Sequence, residues 1–142
     1  MSESAGHEDP PPALLSRLLR RALLWLYRAL GWKAVGSPPA DRRGVIIAAP
    51  HTSNWDFLYF LGLTDALGVK AHFMGKKELF RWPLRRFMRD MGGVPVDRSE
   101  RGRDYVQQMI AESARRKSLM LTVAPEGTRG AVRTWRTGFY YI

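Results

Sequence analysis

The chain has 142 residues, no cysteine, and 23 Lys and Arg side chains against 13 Asp and Glu, so its formal net charge is +10. A chain of this length forms one domain with a sizeable core. The lack of cysteine excludes disulfides, a thiol nucleophile and cysteine-ligated zinc. The longest apolar stretches fall well short of the ~20 residues that cross a bilayer, so no transmembrane helix is expected.

The amino-terminal third contains two different segments. Residues 1–12 hold three acidic side chains and no Lys or Arg, and they end in three prolines, a composition that predicts a disordered tail. Residues 13–32 are predicted to form an amphipathic helix with a broad leucine face that includes Trp25. Its basic stripe consists of Arg17, Arg20, Arg21 and Arg28.

This helix has two alternative roles. A leucine face beside an arginine stripe is typical of a helix that lies in the plane of an anionic membrane surface. The alternative is a helix that packs on its own domain and keeps its arginines in water. We favour the membrane surface. Glycines and prolines in residues 33–43 then predict a linker.

Beyond the linker, apolar strand-like runs alternate with helix-like segments. This order predicts an α/β fold with a mainly parallel or mixed sheet and helices on both faces, preceded by the amphipathic helix. The first strand is expected to be buried on both faces, and Pro83 to lie near the start or at a kink of the second helix. The predicted strands are 45–49, 69–74, 94–96 and 118–124, and the predicted helices are 54–67, 76–91 and 103–115.

The segments that follow the strands are the first place to look for chemistry, because parallel strands end along one edge of a sheet and ligands bind there. His51 and Asp56 follow the first strand. Their spacing places them about 140° apart on a continuous helix, so they meet only if the chain turns between them. A helix that begins near Ser53 or Asn54 supplies that turn. Asp56 can then hold one imidazole nitrogen and leave the other as a base.

The segment after the last strand suits an anionic ligand. Gly127 permits close approach of the backbone, Thr128 offers a hydroxyl, and Arg129 presents a planar fork for phosphate. Arg98, Arg133 and Arg136 add positive charge. The alternative is an ordinary turn with a local ion pair.

Three motifs in this order resemble those of the glycerophospholipid acyltransferases of the lysophosphatidate type. The resemblance covers about residues 44–142 and rests on His51-x4-Asp56, Gly93-Val94-Pro95-Val96-Asp97-Arg98 and Pro125-Glu126-Gly127-Thr128-Arg129. It implies that His51 is the general base and that Asp56 orients it. It also implies that the acceptor phosphate is bound by Arg98, Glu126, Gly127, Thr128 and Arg129.

The resemblance implies an enzyme that transfers an acyl group from acyl-CoA or acyl carrier protein to a lysophospholipid such as 1-acylglycerol-3-phosphate. Neither a metal nor another cofactor is implied, and the expected location is the cytoplasmic side of a membrane, held peripherally. The family's fourth motif, an apolar strand around a proline, is missing, so we expect the domain over 44–142 to be incomplete at its carboxyl terminus.

Two other classes of function remain open at this point. A non-catalytic membrane-binding fragment would show the same amino-terminal helix. A basic nucleic-acid-binding module would also carry a charge of +10. The second is disfavoured, because a leucine-rich helix face has no use on nucleic acid and no recognised nucleic-acid motif is present.

Overall fold

The structure is a computed structural model that describes residues 9–97 and 102–142, with side chains described from residue 106 in the second range. Within these ranges four strands and four α-helices follow one another, together with two short 3₁₀ helices at Lys77–Phe80 and Gly138–Tyr141. The strands are β1 (Arg43–Ile47), β2 (Ala71–Lys76), β3 (Gly93–Val96) and β4 (Leu119–Val123), and the helices are α1 (Leu14–Ala29), α2 (Asp56–Ala66), α3 (Arg85–Asp90) and α4 (Gly102–Arg115).

The four strands form one sheet in the order β1-β4-β2-β3. Every pairing is parallel, and in the register Leu121 lies between Val45 of β1 and His72 of β2. The predicted α/β class with a mainly parallel sheet is therefore confirmed. Because the strands are parallel, the segments that follow β1 and β4 leave the sheet at the same edge.

Helices cover both faces of the sheet, as predicted. On one face, Met109 of α4 packs against alternate residues of β3 and β4. On the other face, Leu24, Leu61 and Met91 bring α1, α2 and the end of α3 together above aromatic rings. Successive strand residues point to opposite faces, so Phe73 joins this second cluster while Met74 packs against the first. The second cluster's aromatic members are Phe57, Phe60, Phe73 and Phe87.

Helix α1 packs against α2 with one side and exposes apolar residues on the other. Leu24 and Tyr27 are buried, and the Arg20 guanidinium lies 2.8 Å from the Asp65 carboxylate of α2. Trp25, on the opposite side, is 70% exposed. Packing on the domain thus accounts for one side only, and the membrane role of the other side stays a prediction. No helix within the described residues is long and apolar enough to span a membrane.

Two details of the sequence prediction were wrong. The helix predicted over 76–91 is divided, because β2 continues to Lys76 and α3 begins only at Arg85. Pro83 lacks a backbone N–H and restricts the residue before it, so a helix cannot run through this segment unchanged. In addition, β1 is an edge strand whose Ile47 is 37% exposed. An apolar run alone does not distinguish an edge strand from a central one.

The predicted disordered tail falls mostly on residues 1–8, which lie outside the described residues. Residues 9–12 lie against the domain. The Arg86 guanidinium donates to the carbonyl oxygen of Pro11 at 2.9 Å, and the Ala13 N–H donates to Asp90 at 3.0 Å.

Candidate active site

The candidate site lies where β1 and β4 end side by side. The Ala48 N–H donates to the Val123 carbonyl at 2.9 Å, which extends their pairing one residue beyond β1. The two chains then separate into the segments that begin at Pro50 and Pro125, and Pro125 is fully buried. The site therefore lies at the carboxyl ends of two neighbouring strands, where ligands bind in parallel sheets.

His51 and Asp56 meet in this segment, as the sequence predicts. The Nδ1 atom of His51 lies 2.9 Å from Oδ2 of Asp56. The turn between them is closed by backbone hydrogen bonds from Asp56 to the Ser53 carbonyl and from Phe57 to the Asn54 carbonyl. Helix α2 then begins at Asp56 itself.

The carboxylate of Asp56 is held by several donors at once. Its Oδ2 atom also accepts the backbone N–H groups of Thr52 at 2.8 Å and Ser53 at 3.1 Å. Burial, the largest single influence, raises the pKa of Asp56, but the hydrogen bonds from Ser53 and Thr52 and the neighbouring His51 together leave this pKa below its usual value. Asp56 is therefore an ionised, fixed acceptor for the imidazole.

This arrangement sets the chemistry available to the imidazole. An ionised carboxylate only accepts hydrogen bonds, so in the neutral form of the imidazole the proton lies on Nδ1 of His51 and Nε2 carries the lone pair. The His51 side chain is 34% exposed, which leaves it accessible to a substrate. A neutral imidazole with one nitrogen fixed by a carboxylate is suited to accept a proton at the other nitrogen.

Glu126 contacts the histidine from the second loop. Its Oε2 atom accepts the backbone N–H of His51 at 2.7 Å. The Glu126 carboxylate therefore links the loop after β4 to the loop after β1 at His51. In this geometry Glu126 holds the backbone of His51, and the phosphate-binding role that the resemblance implies for it stays a prediction.

The residues after Glu126 form a tight turn at the surface. Gly127 has a φ of +67°, and a Cβ atom there would lie 2.9 Å from Nε of Arg136. The Arg136 N–H also donates to the Pro125 carbonyl at 2.8 Å. The Thr128 hydroxyl accepts the Gly130 N–H at 3.3 Å. Two features favour glycine at position 127, the positive φ and the crowding by Arg136. The close approach to a ligand that the sequence predicts for Gly127 stays a prediction.

Arg129 reaches back to the histidine loop. Its Nη2 atom donates to Oδ1 of Asn54 at 2.5 Å, three residues beyond His51. Asn54 was predicted only as a helix-start residue, and no spacing signal in the sequence marks it as the partner of an arginine 75 positions away. The structure thereby brings the predicted phosphate-binding arginine to the loop that carries the predicted base.

The structure says less about the other residues predicted for the site. Arg98 lies outside the described residues. The residue before it, Asp97, forms an ion pair with Lys77 at the ends of β3 and β2. Within the described residues, no group of three His, Asp or Glu side chains could hold a metal ion.

Comparison with models of protein families matches residues 33–142 to the family described as Acyltransferase. The searches of curated proteins and of solved structures returned no match.

Proposed function

Since the chain belongs to the acyltransferase family, we propose that it moves a fatty acyl group from an acyl thioester to the hydroxyl of a lysophospholipid such as 1-acylglycerol-3-phosphate, in phospholipid biosynthesis. The donor is acyl-CoA or acyl carrier protein, and the general base is His51. The observation that carries this proposal is the 2.9 Å contact between Nδ1 of His51 and Asp56, which leaves Nε2 to accept a proton.

The reaction needs no covalent intermediate on the protein, because a thioester is already activated. Nε2 of His51 takes the proton from the acceptor hydroxyl while its oxygen bonds to the thioester carbonyl carbon. The carbon–sulfur bond then breaks, and the imidazolium returns its proton to the departing thiolate. The charge that forms on His51 is stabilised by Asp56.

The acceptor phosphate is proposed to bind near Arg129, whose guanidinium fork suits phosphate. Its position at Asn54, beside the histidine loop, supports this role. By resemblance we propose that Arg98, Gly127 and Thr128 contribute to the same phosphate site. No metal or other cofactor is part of the proposal.

We further propose that the exposed side of α1 rests on an anionic membrane at its cytoplasmic face. Leu14, Leu15, Leu18 and Trp25 are all more than half exposed on this side. Arg17, Arg21 and Arg28 flank it, where they can meet lipid phosphates. A surface-bound enzyme reaches an acceptor that is itself embedded in the bilayer.

Thioester consumption tests the proposed reaction. The full chain would be incubated with acyl-CoA or acyl carrier protein and a panel of lysophospholipids, and the released thiol followed with a thiol reagent. The protein contributes no background because it has no cysteine. We expect thiol release that depends on the acceptor and falls at least 100-fold in His51→Ala, as for loss of a general base.

The control variant is Lys33→Ala, an exposed residue before β1, which should react like the wild type. Acyl transfer by a folded His51→Ala variant at the wild-type rate would remove His51 from the mechanism. A chain that binds anionic vesicles but releases no thiol with any acceptor would instead support the non-catalytic alternative.

A further inference from the structure

A charged cluster lies at the opposite end of the sheet from His51. It forms around His72, near the start of β2, and Arg116, just before β4. Both side chains are nearly buried, with 5% of His72 and 11% of Arg116 exposed. Glu112 of α4 holds the Arg116 guanidinium at 2.7 Å. Two nearly buried nitrogen-bearing side chains in fixed positions are unusual without an anion between them.

In this structure the anion is the chain's own Asp9. One carboxylate oxygen lies 2.7 Å from Arg116, and the other lies 2.9 Å from Nε2 of His72 and 3.6 Å from Nζ of Lys70. The pKa of Asp9 is raised most strongly by burial, but hydrogen bonds from His72 and Arg116 outweigh this and lower it to about 2. The carboxylate is therefore ionised and coordinated by three nitrogen groups.

The imidazole of His72 faces this anion with Nε2, and the same Nε2 atom lies 3.1 Å from Nη1 of Arg116. Its Nδ1 atom is buried and has no hydrogen-bond partner. Burial, the largest influence, lowers the pKa of His72 and so favours its neutral form, in which a proton on Nε2 would face the carboxylate. A buried ring that leaves one nitrogen unsatisfied is held in place by the anion at the other nitrogen.

The cluster opens into a cavity of about 980 Å³, much larger than one carboxylate. Of the described residues that line it, three are carboxylates, namely Asp9, Asp90 and Glu112. When Asp9 leaves, two carboxylates remain opposite the cationic residues. Those cationic residues are Arg20, Lys70, Arg85, Arg86, Arg89 and Arg116. The emptied cavity would thus attract an anion strongly.

The segment that delivers Asp9 is held by few apolar contacts. Pro10, Pro11 and Pro12 are exposed, and the polar contacts of residues 9–13 go mainly to Arg86, Asp90 and the Asp9 cluster itself. Because little apolar surface is covered, a competing anion can displace this segment at low cost.

We propose that His72, Arg116 and Lys70 form an anion site for a phosphate group, which the Asp9 carboxylate occupies until a phosphate ligand displaces residues 9–12. The inference is independent of acyl transfer, because it uses none of the residues around His51. A tethered occupant competes as if present at millimolar concentration. An occupancy of about 90–99% by Asp9 would weaken phosphate binding about 10- to 100-fold.

The test compares Asp9→Ala with Asp41→Ala, which removes one exposed carboxylate elsewhere in the chain. Inorganic phosphate would be titrated at constant ionic strength against chloride, with binding followed by the melting temperature of the full chain. We expect phosphate to bind Asp9→Ala at least 10-fold more tightly than the wild type or Asp41→Ala. Adding Arg116→Gln to Asp9→Ala should remove this gain.

A second measurement covers the case in which Asp9→Ala does not fold. In the wild type, the His72 ring resonances should move with phosphate and not with chloride. Equal phosphate responses in folded Asp9→Ala and Asp41→Ala, or unmoved His72 resonances, would overturn the proposal.

Two phosphate sources would then be compared in the folded Asp9→Ala variant. Glycerol 3-phosphate presents the group in solution, and vesicles containing phosphatidate present it at a lipid surface. If Asp9→Ala binds either phosphate source more tightly than Asp41→Ala does, the result supports the site and identifies the source of its phosphate ligand. If the tighter binding of both phosphate sources persists when Arg116→Gln is added to Asp9→Ala, the proposal is contradicted.

Discussion

The Oε2 atom of Glu126 accepts the backbone N–H of His51 at 2.7 Å, across 75 residues of sequence. This bond connects the loops that follow β1 and β4, as does the bond from Arg129 to Asn54. It fixes the backbone of the proposed base, while Asp56 fixes its ring. Glu126 and Asp56 therefore orient the imidazole together, one through the backbone and the other through the ring. A base held at both ends needs little rearrangement when the substrate arrives.

Substitutions at Glu126 separate positioning from phosphate binding. Glutamine retains an oxygen that can accept the His51 N–H, whereas alanine retains none. We expect Glu126→Ala to lower kcat of thiol release at least 10-fold with little change in KM for the acceptor, and Glu126→Gln to restore most of kcat. Steady-state kinetics over a range of acceptor concentrations would show this. If both variants instead raise KM equally and leave kcat intact, Glu126 acts on the acceptor.

Much of the proposed site could be predicted from the sequence, because its chemistry depends on residue types with few alternatives. His51 and Asp56 are identified by a histidine, a turn and a carboxylate at a helix start. The contact of Glu126 with His51 could not be predicted, because a carboxylate that accepts a backbone N–H leaves no pattern in side-chain spacing. The same holds for Asn54, whose partner Arg129 is set by the meeting of two loops.

The conformation of Gly127 gives a second prediction. Alanine at this position would adopt a φ of +67° and place its Cβ 2.9 Å from Arg136. The positive φ alone costs about 1–2 kcal/mol, so we expect Gly127→Ala to lower the free energy of unfolding by at least that amount and to raise KM for the acceptor. Gly130→Ala is the control, because its nearest atom lies at 3.9 Å and its φ is not positive. Urea unfolding of both variants gives the comparison, and equal stabilities would show that the turn is not held as described.

The docking of α1 on α2 is tested by whether one substitution, Gly62→Ala, raises or lowers the free energy of unfolding. A Cβ atom on Gly62 would lie 2.3 Å from the Tyr27 ring, and overpacking of this kind costs about 1–3 kcal/mol. On an undocked helix, the same change would stabilise by about 1 kcal/mol, because alanine is the better helix former. We expect Gly62→Ala to be destabilising in urea unfolding. Gly44→Ala, with Met120 at an ordinary 3.8 Å, is the control, and a stabilised Gly62→Ala would show that α1 is not packed there.

The fold was predictable where strands and helices alternate, because hydrophobic periodicity distinguishes them directly. Prediction failed where the same residues permit two outcomes. The apolar run of β1 fits an edge strand as well as a central one. Its position at the edge is seen only in the structure, where β1 pairs with β4 and with no other strand of the sheet. Likewise the leucines of α1 fit both a protein contact and a lipid contact. The structure shows a protein contact on one side of the helix, and a lipid contact on the exposed side stays a prediction.

The exposed side of α1 predicts membrane binding that depends on Trp25. Tryptophan inserts favourably at the boundary between head groups and acyl chains, so we expect Trp25→Ser to weaken binding to anionic vesicles at least 5-fold in sedimentation assays. Tyr140→Ser is the matched control, because Tyr140 is 78% exposed in the 3₁₀ helix that packs on α4, on the other face of the sheet. Equal losses in both variants would indicate non-specific adsorption and would remove the role of α1.

The Asp9 cluster predicts how stability depends on acid. Asp9 has a pKa of about 2 in the folded protein against an ordinary 3.8, so its ionised form favours folding. This contribution is complete above pH 3.8 and is lost as the pH falls toward 2. Because Asp9 is partly solvated, we expect Asp9→Ala to cost about 1 kcal/mol at pH 7, less than its full pKa shift implies.

The charged groups around Asp9 do not reverse the direction in which stability changes with pH. Arg116 has a raised pKa in the folded protein and stays protonated throughout, and its guanidinium holds the Glu112 carboxylate. His72 changes in the same direction, because its pKa is lowered in the folded protein and its neutral form favours folding. Urea unfolding of the wild type and Asp9→Ala at pH 7, 4 and 2.5 would therefore show a stability difference that shrinks only below pH 4. A difference that stays constant down to pH 2.5 would mean that Asp9 does not bear an ionised, paired carboxylate in the folded chain.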